Sequence, residues 1–354
     1  METADWMTPL IGCTGGVALG LAARLGRFCS LSAIEDASFG AGTTRLATWG
    51  LAIAVAILGT TLLGAFGLLP VSSVFYLTNP VPILSTILGG LAFGVGMALV
   101  GTCGFGALAR LGGGDLSGLV VMLVIGITSY IASSGFIGVL RARYMSEAPT
   151  TVVESGMAHA VSAWSGLPPT GVALALGFAL CATMVIRLRG ERSALFWGSV
   201  VGAVIVVGWA ATVFQHDANF GETAVRSYSF VRPLGDSMIY AMTSSGTSLS
   251  FGVASVAGVL IGAALGAVIK REFRWEACDD ARTLKRQIVG AALMGTGGVF
   301  SLGCTVGQGL SAASVLAISA PVAIVSMIIG AWCGLQWLVN GSVVEPIRAA
   351  ILRR

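Results

Sequence analysis

GGLAFGVGMALVGTCGFGALARLGGG, residues Gly89 to Gly114, is a glycine-punctuated apolar run that carries one cysteine, Cys103, and one cation, Arg110. Further along, GAALMGTGGVFSLGCTVGQG, residues Gly290 to Gly309, repeats its skeleton. Laying Cys103 on Cys304 is a shift of 201 positions, and it also sets Gly89 on Gly290, Gly94 on Gly295, Gly96 on Gly297 and Gly106 on Gly307. Four glycines matched around a shared cysteine point to a duplicated unit.

Outward from these two runs the chain stays apolar. No charged side chain or histidine occurs between Arg45 and Arg110 or from Gln287 to Val344, and each interval has room for two or more spans of about 20 residues. With 55% hydrophobic and 10% charged residues among 354, and a mean hydropathy of +0.89, too little polar side chain is present to clothe a water-soluble globule. The expected class is an all-α polytopic membrane protein. Its fifty glycines, about twice the usual share of roughly 7%, favour closely packed and broken helices. A net charge of +4 without a basic block gives no support for nucleic-acid binding. The N-terminus METADWMTP lacks the basic start and cleavage site of a signal peptide, so the first apolar run is expected as a mature helix.

Nine spans are expected, at about Met7 to Ala23, Leu46 to Leu69, Ile83 to Thr102, Leu116 to Leu140, Gly171 to Ile186, Ala194 to Phe214, Leu249 to Ile269, Gln287 to Leu302 and Ala320 to Val339. Four segments are too apolar for ordinary loops and too short to span: Phe28 to Phe39, Phe105 to Gly114, Tyr228 to Met242 and Val306 to Ile318. These read as re-entrant or partial helices. Loops rich in Lys and Arg face the cytoplasm. Arg24, Arg27, Arg45, Arg110, the Arg187 to Arg192 cluster, the Lys270 to Arg286 connector and the tail with Arg348, Arg353 and Arg354 then share that side, with Met1 outside. Arg141 and Arg143 fall on the other side, beside Glu147 and Glu154. His159 and His216 are expected in solvent-facing external loops.

The charges also relate the repeats. Arg45 precedes the long helix of the first unit, whereas Lys270 and Arg271 follow that of the second; Arg110 follows the first cysteine run, whereas Lys285 and Arg286 precede the second. The positive ends have swapped, so the expected arrangement is two inverted pseudo-symmetric repeats, about 7–143 and 194–342, joined by 144–193 in one transmembrane domain. Such repeats in transporters bring broken helices together near the midplane.

The seven cysteines, Cys13, Cys29, Cys103, Cys181, Cys278, Cys304 and Cys333, show no paired spacing and do not read as a disulfide framework. Cys103 and Cys304 stand out by repeat symmetry; Cys13, Cys181 and Cys333 read as packing residues. The shift sets Cys29 against Phe230, and Glu35 against Asp236. Glu35 and Asp36 read as helix-end or interface acids, with proton-moving pore acids as the other reading.

Both glycine runs, the RFC cysteine near the N-terminus and SYSFVRPLGDS resemble the YeeE/YedE family of bacterial inner-membrane sulfur-compound transporters over most of the chain. The resemblance implies uptake of thiosulfate through a pseudo-symmetric hourglass with short re-entrant helices at its waist. It implies further that Cys29, Cys103 and Cys304 line the substrate path, and that a small cytoplasmic TusA-like sulfur carrier is a partner. After Cys103 the sequence reads Gly104-Phe105-Gly106-Ala107, where the family motif has small polar residues and a threonine.

The residues agree with that role. A thiol of ordinary pKa about 8.5 in an apolar segment is a neutral S–H donor, and weak donors in series let an anion enter and leave. Gly101, Gly104 and Gly106 around the first cysteine, and Gly303, Thr305 and Gly307 around the second, let backbone N–H groups at helix N-termini face the anion. Arg27 and Arg110 are candidate attractors on the cytoplasmic side. Alternatives are a membrane thiol-redox protein, weakened by the lack of a CxxC pair, and a permease for another sulfur or selenium compound or a soft metal ion, weakened by the lack of His or Met pairs beside the thiols. No P-loop occurs, so ATP hydrolysis is not expected; separately, no enzymatic role, resident metal or cofactor is expected.

Overall fold

The computed structural model describes residues 2–70, 73–78, 81–145, 156–166, 168–218, 223–277 and 280–341. Each expected span forms a long helix: α1 (Glu2–Leu25), α3 (Thr44–Ala65), α5 (Ile83–Val100), α7 (Leu116–Ser134), α10 (Pro169–Arg187), α11 (Arg192–Ala218), α13 (Phe251–Ile269), α14 (Ala281–Phe300) and α15 (Ser319–Asn340). Eight of them are long and apolar enough to cross a bilayer by length and composition. The other, α14, opens with Arg282, Lys285 and Arg286 and is uncharged only beyond them. Phe66, Phe178 and other large apolar side chains are exposed on the outer surface, where lipid replaces water as their neighbour.

The four short apolar segments are also helical. They form α2 (Ser30–Phe39), α6 (Gly104–Gly112), α12 (Arg232–Thr243) and a turn beginning at Thr305 that widens into a π-helix over Gly307–Ala312. Three further helices were not expected: α4 (Phe75–Thr78), α8 (Phe136–Met145) and α9 (Met157–Ser165). The span expected over Leu116 to Leu140 ends early. Gly135 is extended (φ −92°, ψ −161°) after Ala132-Ser133-Ser134, where serine hydroxyls compete with helix hydrogen bonds. His159 lies exposed on α9, and His216 is half-buried in the last turn of α11 with Nδ1 against the Thr223 carbonyl, so neither is in a loop and His216 is not solvent-facing. Cys278, Glu147, Glu154, Arg348, Arg353 and Arg354 lie outside the described residues.

Glycine sets the packing at the centre. A Cβ on Gly89 would stand 2.7 Å from the Gly297 carbonyl oxygen, and one on Gly297 2.6 Å from that of Gly89; Gly96 and Gly290 repeat the exchange at 2.5 and 2.8 Å. Backbones therefore touch with no side chain between them. Numbers rise along α5 as they fall along α14, so these two sequence-matched helices are antiparallel. The matched pair α1 and α11 is antiparallel as well, with Gly15 against Val204 and Gly26 against Trp197. By contrast α1 runs parallel to α13 (Gly16 on Ser255, Gly262 on Val17), and α3 runs parallel to α11 (Gly198 on Thr48, Gly202 on Ala52). The antiparallel run of α5 with α14 and of α1 with α11 is the direction expected of equivalents in an inverted duplication.

Several polar side chains inside this core are bonded, although the buried Trp49 Nε1, Thr8 Oγ1 and Thr60 Oγ1 have no hydrogen-bond partner among the described residues. Trp209, fully buried, donates from Nε1 to Ser314 Oγ at 2.9 Å, and Ser311 Oγ donates to the Tyr228 carbonyl at 2.7 Å, tying α11, the π-helix and the strap before α12 together. That strap is held by a parallel bridge between Val225 and Val74. At the other end, the segment after α13 bonds to the α6–α7 turn through Arg274 N–H to Gly113 O (3.2 Å) and Leu116 N–H to Glu276 O (3.0 Å).

Candidate functional site

Cys29, Cys103 and Cys304 occupy the same local position. Each is the residue before a short helix, and its carbonyl accepts the first helical hydrogen bond, from Ala33 (3.2 Å), Ala107 (2.8 Å) and Gln308 (2.7 Å) respectively. The residue two before each is left-handed: Arg27 (φ 51°), Gly101 (φ 80°) and Leu302 (φ 61°). Only Gly101 occupies that region without a steric penalty; at the other two, L side chains are held in a conformation that costs of order 1 kcal/mol or more and gathers at functional sites. One backbone device, repeated three times, turns the chain sharply and presents a thiol at a helix N-terminus.

The sulfurs are engaged to different degrees. Gly106 N–H donates to Cys103 Sγ at 3.4 Å, and the matched Gly307 N–H donates to Cys304 Sγ at 3.4 Å. Cys304 Sγ takes a second bond from the Phe230 N–H at 3.4 Å and has Ser229 Oγ at 3.9 Å. Cys29 caps nothing with its side chain. Cys103 and Cys304 are buried and Cys29 is half-buried. The Cys103 thiol lies within electrostatic range of both others, and Ser30, next to Cys29, bonds from Oγ to Thr305 Oγ1 at 3.3 Å. The structure therefore brings together Cys29, Cys103, Cys304, Thr305, Gly106 and Gly307. Gly104 opens α6 with space around it, the nearest atom to a Cβ there being Ile125 Cδ1 at 3.6 Å. Gly101 ends α5, and its carbonyl accepts Arg110 Nη2 at 3.0 Å; Arg27 is exposed. The two arginines are thus backbone and surface groups, with no bond to a thiol.

The second unit has no thiol where the first has Cys29. Its place is held by Phe230, whose ring packs 5.3 Å from that of Phe105 and whose N–H serves Cys304. All six described cysteines are free, and among the described residues no group of three or more Cys, His, Asp or Glu side chains could hold a metal ion.

A family model for sulphur transport matches residues 25–333. This chain belongs to that sulphur transport family. It is 26% identical over 359 aligned positions, covering 97% of both chains, to a protein named thiosulfate transporter TsuA from Escherichia coli (strain K12). It is 26% identical over 341 positions, 94% of this chain and 98% of the relative, to a protein of the same name from Spirochaeta thermophila.

In this sulphur transport protein a cavity of about 660 Å³ opens between the ends of α7, α11, α13 and α14, and it reaches Ser229, whose Oγ is 3.9 Å from Cys304 Sγ, and Gly303, the residue before Cys304. Arg226, Arg232, Asp236 and Tyr76 also line it. Arg232 Nε pairs with Asp236 Oδ2 at 3.7 Å. Arg226, half-buried, lies with Cζ 3.7 Å from the centroid of the Phe75 ring. Burial, and then the like charge of Arg232, lowers its pKa from the ordinary arginine value. Sequence reasoning missed Arg226 and Tyr76. Their signal was the placement of a cation and a tyrosine beside SYSFVRP and ahead of α5, which charge-counting for topology passes over.

Proposed function

We propose that this chain carries thiosulfate, or a closely related sulfur anion, across the bacterial inner membrane along Cys29, Cys103 and Cys304, without catalysing a chemical step. The repeated cap is the observation that supports this reading: three thiols stand at three short-helix N-termini close to one another. The partial positive charge of those termini, about half a unit each, favours an anion without supplying a lysine that would hold it. Sulfur atoms already accepting backbone N–H bonds keep their S–H protons to donate, so Cys103 and Cys304 are oriented as neutral donors to a soft sulfur acceptor. Ser30 and Thr305 link the short helices of the two halves, and the ion passes from thiol to thiol across that link. Serial weak donors permit release as well as entry.

The two units, about 7–143 and 194–342, meet at this waist. Met1 is placed in the periplasm and the C-terminus in the cytoplasm, from the cations that follow α10 and α13. The connector after α13, with Trp275 exposed beside Arg271 and Arg274, is the surface offered to a TusA-like sulfur carrier. Uptake of radiolabelled thiosulfate by proteoliposomes containing the full chain tests the reading. Transport is expected, and alanine at Cys103 or Cys304 is expected to abolish it with protein still in the membrane. Undiminished uptake by the double variant would remove the thiols from the path.

A further inference from the structure

The cavity above Cys304 holds two guanidiniums that the thiol path does not use, Arg226 and Arg232, and only Arg232 is in an ion pair. Arg226 sits on the strap between α11 and α12, and the strap is fixed: Val225 N–H donates to Ser73 O and Phe75 N–H to Val225 O, both at 3.2 Å. Its guanidinium is steadied by the Phe75 face. Among the described residues no carboxylate pairs with it, whereas the neighbouring Arg232 is occupied by Asp236. Asp236 acts on Arg226 only from beyond ion-pair distance while paired with Arg232, so this fixed, half-buried cation keeps its fork free for an anion in the open space it faces.

That space leads to the waist. Ser229 lines the cavity and stands 3.9 Å from Cys304 Sγ. Tyr76, adjacent to Phe75, also lines it, and its hydroxyl would be 3.3 Å from a Cβ on Gly307, the residue that bonds to the Cys304 sulfur. At about 660 Å³ the cavity is far larger than a five-atom anion, so the ion arrives hydrated and its water is exchanged for protein groups only at the narrow end.

We infer that Arg226 is the capture point of this path: its guanidinium takes the oxygen end of a divalent sulfur oxyanion in the cavity, and Tyr76 and Ser229 hydroxyls hand the ion to Cys304. This rests on the reading that the waist passes a sulfur oxyanion. Arginine suits the step because its planar fork matches two oxygens of a sulfonate group. A charged site before a neutral path divides the work: the cation concentrates the ion, and the thiols let it go.

Equilibrium binding of radiolabelled thiosulfate to the purified full chain, with sulfate as competitor, tests the assignment. Arg226→Gln is expected to weaken binding at least about tenfold, Arg226→Lys to keep most of it, and rising ionic strength to weaken wild-type binding and close the gap to Arg226→Gln. Cys304→Ala is expected to retain binding in the cavity while losing uptake. Wild-type affinity in Arg226→Gln, or an Arg226→Lys that binds no better than Arg226→Gln, would overturn the capture site. Should wild-type protein bind sulfate through Arg226 but not thiosulfate, the capture site stands and the thiosulfate reading fails. Should Arg226→Gln bind and take up thiosulfate as wild type does, the thiosulfate reading stands and the capture site fails.

Discussion

The backbone N–H of Gly307 donates to the sulfur of Cys304 at 3.4 Å, and the same bond joins Gly106 to Cys103 in the other half of the molecule. Between Cys29, Cys103 and Cys304 the number of backbone donors held by sulfur rises from none to one to two.

That gradient separates transport from stability. Replacing Cys29, Cys103 or Cys304 by alanine is expected to abolish thiosulfate uptake in each case. Thermal unfolding in detergent should rank them differently, with Cys29→Ala near wild type, Cys103→Ala lower, and Cys304→Ala lowest. Each orphaned buried N–H costs about 1–3 kcal/mol, and Cys304→Ala orphans those of both Gly307 and Phe230.

The glycine seam makes a second prediction. Gly297→Ala would push a methyl to 2.6 Å from the Gly89 carbonyl oxygen, and α5 and α14 would have to part. A loss of about 1–3 kcal/mol is expected, read as a lower melting temperature and less folded protein in the membrane. Gly64→Ala on α3, with nothing within 4 Å of the added carbon, should be neutral or stabilise by about 0.5–1 kcal/mol.

Acid should loosen the start of α14. Asp280 accepts from the N–H groups of Arg282 (3.0 Å) and Thr283 (3.2 Å), and those bonds hold its pKa below the ordinary carboxylate value. A lowered folded-state pKa gives stability that is present above the unfolded value, near 3.9, and is lost as pH falls through the folded one. Asp280→Ala should therefore melt below wild type at neutral pH, and the gap should close only below about pH 4.

Arg24 fastens the far end of the Cys103 helix. Its Nε donates to Ala109 O at 3.1 Å and its Nη2 to Arg110 O at 3.4 Å, so a cation stands at the C-terminus of α6, while Lys270 Nζ donates to the Arg24 carbonyl at 2.6 Å. Arg24→Met should free α6 at that end. Faster alkylation of Cys103 by a membrane-permeant maleimide, with slower uptake, is the expected readout; Lys270→Met, acting one step removed, should change both less.

How much of this was legible follows from which forces leave a trace in composition. A bilayer demands long apolar runs, so all nine long helices were readable, as were the four short ones, because each is too apolar for a loop. Gly89, Gly96, Gly290 and Gly297 were readable as a repeat because close backbone approach admits nothing larger. The left-handed turn before each thiol was not: only Gly101 carries the glycine that advertises it, while Arg27 and Leu302 adopt it under constraint from their surroundings. Phe230 was invisible as a partner of Cys304 because it acts through its backbone N–H, which every residue but proline has. Arg226 was passed over because a cation outside the spans reads as a topology mark until its ring partner and its cavity are seen. The stop at Gly135 needed more than hydropathy, since Phe136 to Leu140 is as apolar as a span.

The contact of Gly89 with Gly297 and of Gly96 with Gly290 has a mechanical corollary. Two backbones meshed carbonyl to α-carbon have no side-chain cushion to shear, so α5 and α14 cannot slip past one another by a residue without unseating both ends of the seam at once. The centre of the molecule is thus a fixed axle. On the proposed thiol path, an ion would therefore be passed by thiols and hydroxyls turning at the ends of short helices, and not by halves of the protein rocking about this seam.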